Sequence, residues 1–149
     1  EMVRDIFTRL GAVRECKIPA CPLDVFEFSQ LSVKEDVILG YAIIKVKEYG
    51  TDIKIRIRQI TNELRDKGIK VIHVYAPLEN PLTYHYTSHF ETLGFFFAGV
   101  MPETGIGDAM IFQILQTRIE IDEIILFSND AKKLLQYILK ESERINTSI

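Results

Sequence analysis

Residues 88–103 read SHFETLGFFFAGVMPE, and the order of residue types in that stretch decides the fold. An apolar helix face closes at Leu93, a glycine follows at Gly94, and Phe95, Phe96 and Phe97 come next without a gap. Helices commonly end on a residue of positive φ, which glycine adopts at no steric cost. A run of aromatics directly after such a stop suits a buried strand. The stretch predicts a helix docked on a sheet, with the chain passing from one to the other at Gly94.

Working outward, Asn80-Pro81 opens that helix, with Asn as N-cap and Pro in the first turn, where its missing N–H costs nothing. Before it, residues 70–75 form a short strand whose apolar content is Val71, Ile72 and Val74. Residues 51–67 fit two templates. Ile53, Ile55 and Ile57 alternate with Lys54, Arg56 and Arg58 as in a strand, yet Ile53, Ile57, Ile60 and Leu64 share one helical face. The helical template accounts for the longer stretch, with Thr51 as N-cap, Asp52 in the first turn and Gly68 as the stop. Further upstream, residues 23–31 alternate as a half-exposed strand. Residues 37–46 are almost continuously apolar, as a central strand would be, and the polar residues 32–36 read as the hairpin between them. Residues 2–10 space Met2, Ile6 and Leu10 at helical intervals.

Downstream of Gly94, strands are expected at 95–100 and 109–115, joined by the turn-rich residues 102–108. Gly105-Ile106-Gly107 joins two strands instead of opening a helix, so it reads as a hairpin turn and not a phosphate loop. A further short strand is expected at 119–127. Ser128 then caps a last helix with Ala131, Leu134, Leu135, Tyr137, Ile138 and Leu139 on its apolar side, and residues 141–149 fray into a tail. The resulting class is α/β (α+β): a mixed, largely antiparallel sheet with a central β-α-β crossover and helices on both faces. The expected organisation is a single domain: an N-terminal helix and linker at 1–22, the core at 23–127, and a C-terminal helix and tail at 128–149.

The 149 residues carry a net charge of -3, are 47% hydrophobic and 26% charged, and contain two cysteines. That balance gives no general attraction to nucleic acid or an anionic membrane, and no apolar run approaches the length of a membrane span. With no signal peptide visible, the expected location is cytoplasmic. Cys16 and Cys21 have no matching histidines and read as ordinary thiols. His85 and His89 stand at i and i+4 on one helix face, a spacing that can clamp a metal, but no third ligand accompanies them, so no metal is expected. The start at Glu1 and the helical opening suggest a piece of a longer protein with a domain upstream.

Phe90, Glu91, Thr92, Leu93, Gly94 and Phe95 resemble the Tyr-Glu-Lys-Leu-Gly-Phe segment of GNAT-type N-acetyltransferases. Over residues 37–115 the order of elements is similar to that family's. The resemblance implies a site for acetyl-coenzyme A whose diphosphate rests on the start of the helix after the central strand. Backbone groups of Val74 and Tyr75, with Gly50, Thr51 and Asn80, are the implied cofactor contacts. Lys47-Glu48-Tyr49-Gly50-Thr51-Asp52 keeps only one glycine of the family's loop and places Glu48 and Asp52 where a diphosphate would sit. Phe90 replaces the family's tyrosine acid, which leaves Tyr86, one turn upstream, and His73 as catalytic candidates.

Residues 94–103 with Gly107-Asp108-Ala109 also resemble a prokaryotic group in which a GNAT-like domain follows an ATP-binding, anti-sigma-factor-type kinase domain. The expectation is a degenerate GNAT-like domain acting as a binding or regulatory module, with a protein partner or an upstream ATP-binding domain. The alternative is an active N-acetyltransferase moving acetyl from acetyl-CoA to an amine. Phe96, Phe97 and Met101 on a sheet edge would support a homodimer, although core placement is the stronger reading of the phenylalanines.

Overall fold

The computed structural model describes residues 1–11, 20, 25–117, 120–121 and 124–147. Among these residues there are four α-helices and five strands: α1 (Met2–Arg9), β1 (Gln30–Asp36), β2 (Tyr41–Glu48), α2 (Ile53–Asp66), β3 (Val71–Pro77), α3 (Leu82–Glu91), β4 (Phe96–Thr104), β5 (Gly107–Leu115) and α4 (Asn129–Thr147). The strands make one mixed sheet in the order β1-β2-β3-β5-β4, and only the β2–β3 pair is parallel. A parallel pair needs a crossover, and α2 supplies it.

Strand alternation divides the side chains between two faces. Ala42, Ile44 and Val46 from β2, Ile72, Val74 and Ala76 from β3, and Phe112 and Ile114 from β5 build one face. They form a continuous core with Ile53, Ile57 and Leu64 of α2 and Leu82 and Phe90 of α3. At about 25 cal/mol per Å² of apolar surface, this cluster is the main favourable term holding α2 and α3 to the sheet. On the opposite face Tyr75, Ala109 and Ile111 form a smaller cluster. Helix α4 packs along the edge strand β4, where Tyr137 meets Phe97 edge-on at 5.7 Å. An Arg9–Asp130 ion pair ties α1 to the start of α4.

The turn out of α3 matches its sequence reading. The Gly94 N–H donates to the Glu91 carbonyl and the Phe95 N–H to the Phe90 carbonyl, with Gly94 at φ 91°. This is a Schellman closure, and Phe90 and Phe95 at its two ends are both fully buried in the same core. Gly68 closes α2 the same way, with Ile69 donating to Leu64.

Four expectations are corrected. The first hairpin turns at residues 37–40, not 32–36. The Asp36 carboxylate accepts from the Leu39 N–H at 2.9 Å, and Gly40 takes positive φ, so turn chemistry overrides the apolar run. Val37, Ile38 and Leu39 are consequently exposed. The strand expected at 23–31 begins only at Gln30. Its earlier described residues form no strand beyond a single bridge from Phe26 to Gly50, and residues 23 and 24 lie outside the described residues. The described part of 119–127 holds no strand. Helix α4 does not fray at 141 but runs to Thr147, because Ile145 is buried and Arg144 bridges Glu91 and Glu141, each at 2.7 Å. Cys16 and Cys21 lie outside the described residues.

Candidate functional site

The parallel pair β2–β3 holds register from Tyr41↔Val71 only as far as Lys45↔Tyr75. Beyond that point β2 continues beside β1 and β3 beside β5, so the two strands part. The wedge between them opens toward the start of α2 and the start of α3. It is the position on this sheet where a ligand would have to enter to reach both helix N-termini.

Side chains and backbone of this chain fill that wedge. Tyr49, fully buried, places its hydroxyl 2.7 Å from Thr83 Oγ1, and Thr83 in turn donates to the Pro77 carbonyl at 2.6 Å. Because the threonine proton is used on Pro77, the tyrosine is the donor in the first bond. Burial pushes the Tyr49 hydroxyl's pKa well above its ordinary value. Tyr86 stacks on Tyr49 with ring centroids 5.3 Å apart and planes 5° from parallel.

The amides leading into α2 are committed as well. The Gly50 N–H donates to Ser29 Oγ at 2.9 Å and the Thr51 N–H to the Phe26 carbonyl at 2.9 Å. The Thr51 hydroxyl donates to the Glu27 carbonyl at 3.2 Å, so it does not cap the helix; Asp52 occupies the N-cap position. The Asp52 carboxylate accepts from both the Ser29 N–H, at 2.7 Å, and the Ser29 hydroxyl, at 2.6 Å. Desolvation acts to raise its pKa, but these hydrogen bonds and the Arg56 charge outweigh it and hold the carboxyl below its ordinary value. A Cβ on Gly50 would stand 2.4 Å from backbone atoms of Phe28 and Ser29. Glycine is required there because residues 26–29 lie directly on it.

The sequence-derived candidates separate onto two faces. Val74 is buried in the core on the helix-covered face, and Tyr86 packs against that same core. His73 and Tyr75 lie on the opposite face, so the two catalytic candidates are not brought together. Asn80 lies one residue ahead of Pro81, which holds the N-cap position expected for Asn80, and its Oδ1 accepts from the Leu82 N–H at 2.9 Å.

On the second face, Tyr41, His73 and Gln113 form a relay. Tyr41 Oη is 3.0 Å from His73 Nδ1, and His73 Nε2 is 3.3 Å from Gln113 Oε1. With the Gln113 carboxamide oxygen facing the ring, the matching tautomer carries its proton on Nε2 and accepts from Tyr41 on Nδ1. Burial keeps the imidazole pKa below its ordinary value, and burial with the neighbouring Tyr75 pushes Tyr41 up to about 12. A neutral imidazole whose lone pair is already occupied, beside a phenol that resists ionisation, is arranged for fixed hydrogen bonding and not for proton transfer. Sequence reasoning singled out His73 and missed Tyr41 and Gln113. Both stand at alternating positions on strands that register with β3, so strand pairing was the missing information.

His85 Nε2 and His89 Nδ1 are buried and have no hydrogen-bond partner among the described residues. Among the described residues no group of three or more His, Cys, Asp or Glu side chains is placed to hold a metal. No helix among them is long and apolar enough to cross a membrane. Comparison with protein-family models, with curated proteins and with solved structures finds no match to this chain.

Proposed function

We propose that this chain is a GNAT-like domain that has given up acetyl-CoA binding and works as a binding or regulatory module, with an ATP-binding, anti-sigma-type domain as its natural partner. The strand order β1-β2-β3-β5-β4, with one parallel pair that parts midway, supports the fold reading. The observation that carries the loss of cofactor is the engagement of the Gly50 and Thr51 amides by residues 26–29. A diphosphate needs those amides free, and it would meet the Asp52 carboxylate in their place. The alternative, an active N-acetyltransferase, would use Tyr86 or His73 for proton transfer; Tyr86 is stacked on the buried Tyr49, and His73 is held between Tyr41 and Gln113.

The test is calorimetric titration of the folded domain with acetyl-CoA and with free CoA. The expected outcome is no heat of binding up to millimolar ligand. Saturable binding at micromolar concentration would overturn the reading and return attention to Gly50 and Thr51.

A further inference from the structure

The sheet has two edge strands, β1 and β4, and they are treated differently. Helix α4 packs along β4, where Phe96 and Phe97 are buried. Strand β1 pairs with β2 on one side, and among the described residues no strand pairs with its other side. An open edge is a template for another strand, and chains guard such edges with cover, proline, bulges or charge. On β1 those guards are slight. Gln30–Asp36 holds no proline, its register shift falls at its first residue, and Lys34 is its single cation. Its two carboxylates are engaged within the chain: Glu35 takes Lys67 Nζ at 2.7 Å, and Asp36 accepts the Leu39 N–H.

Exposed apolar side chains gather along this same edge. Val33 is exposed at the middle of the strand, Phe26 and Phe28 just before it, and Val37, Ile38 and Leu39 just after it. Phe28 is 69% exposed and Ile38 97%. The strand has seven residues with Val33 at its centre, so an antiparallel self-pairing that uses its full length puts Val33 on the two-fold axis. That register sets Ser32 against Lys34, Leu31 against Glu35 and Gln30 against Asp36, and no like charges stand directly opposite. Antiparallel pairing also reverses the ends, which brings Phe28 of each copy beside the partner's Ile38.

We propose that β1 is a homodimer interface, at which two copies join their sheets by antiparallel β1–β1 pairing about Val33. A second copy is the occupant because the edge complements its own reverse: aromatic end meets aliphatic end, and a β-branched pair meets on the axis. Such a contact uses the same patch on both copies and closes on itself. With one short strand paired per copy, the interface belongs to the small, weak class. It lies apart from the closed wedge and stands whether or not the acetyl-CoA reading holds.

The first test is sedimentation equilibrium of the full chain from about 10 μM to about 1 mM, where a reversible monomer–dimer equilibrium is expected. In a mixture of isotope-labelled and unlabelled chains, NOEs should connect the Phe28 ring of one copy to the Ile38 methyl groups of the other. Val33→Lys sets two cations on the axis and should weaken the dimer at least about tenfold. Ile38→Ser should weaken it about threefold. If Val33→Lys does not fold, Ile38→Ser, on the exposed turn, serves in its place. The proposal is overturned if the chain stays monomeric at the highest concentration, if NOEs between copies fall elsewhere, or if a folded Val33→Lys variant dimerises as the parent does. A monomer that cosediments through Ile38 with vesicles of equal parts phosphatidylcholine and phosphatidylserine would also overturn it, and would assign the exposed turn to a lipid surface.

Discussion

The two faces of the β2–β3–β5 sheet centre invite comparison, because each presents tyrosines and hydrogen-bonding groups that are joined in different ways. On the helix-covered face, Tyr49, Thr83 and Pro77 satisfy one another, and Ser29 engages both the Gly50 N–H and the Asp52 carboxylate just ahead of α2. On the other face, Tyr41, His73 and Gln113 pass hydrogen bonds in one direction and end on the Gln113 amide. The same residue types thus close a gap between parted strands on one face and run across paired strands on the other. The difference lies in whether the ladder already holds the strands together.

The comparison is broken most directly at Tyr49. Tyr49→Ala removes a buried ring that packs in the core and bridges the parted strands, and should cost about 3–5 kcal/mol. Urea unfolding measures this, and a loss below about 1 kcal/mol would mean that the wedge is not held by this side chain. Gly50→Ala comes next. The added Cβ must push residues 26–29 off the start of α2, at about 1–3 kcal/mol. Faster proteolytic cleavage within that segment should accompany the loss, and unchanged stability and cleavage would show that it is not seated there.

The smallest effect sharpens the other side. His73 binds its proton more weakly in the folded chain than at its ordinary 6.5, so the unfolded chain gains protons first as the pH falls. Stability should therefore decline as the pH drops through 6.5 and level off below the folded-state value. The melting temperature should fall by on the order of a degree or two across that window, and His73→Gln should flatten the slope. An unchanged slope would remove His73 as its source.

Local chemistry explains which parts of this were legible in the sequence. Helices α2 and α3 were readable because each is followed by a glycine stop with a buried apolar residue after it, and Ser128 announced α4 by accepting the Ala131 N–H on its hydroxyl oxygen. The first hairpin was misplaced because Val37, Ile38 and Leu39 look like strand, whereas Asp36 and Gly40 decide the turn. The length of α4 was hidden because Glu91, which anchors Arg144, is 53 positions away in the chain. Gly50 stood out as the survivor of a loop motif, but nothing local signals that residues 26–29 return to lie on it. For the second face, His73 was visible by type, and its partners only by register.

The parted strands have a mechanical consequence. The sheet consists of two antiparallel blocks, β1–β2 and β3–β5–β4, each with longer registers than the five-pair parallel seam that joins them. A short seam is the lowest-cost line along which such a sheet can open as cooperative units. The Tyr49–Thr83–Pro77 chain crosses that line just beyond its last ladder pair, where it works as a latch between blocks. Any separation along that line has to break this chain of hydrogen bonds and divide the core that β2 and β3 share.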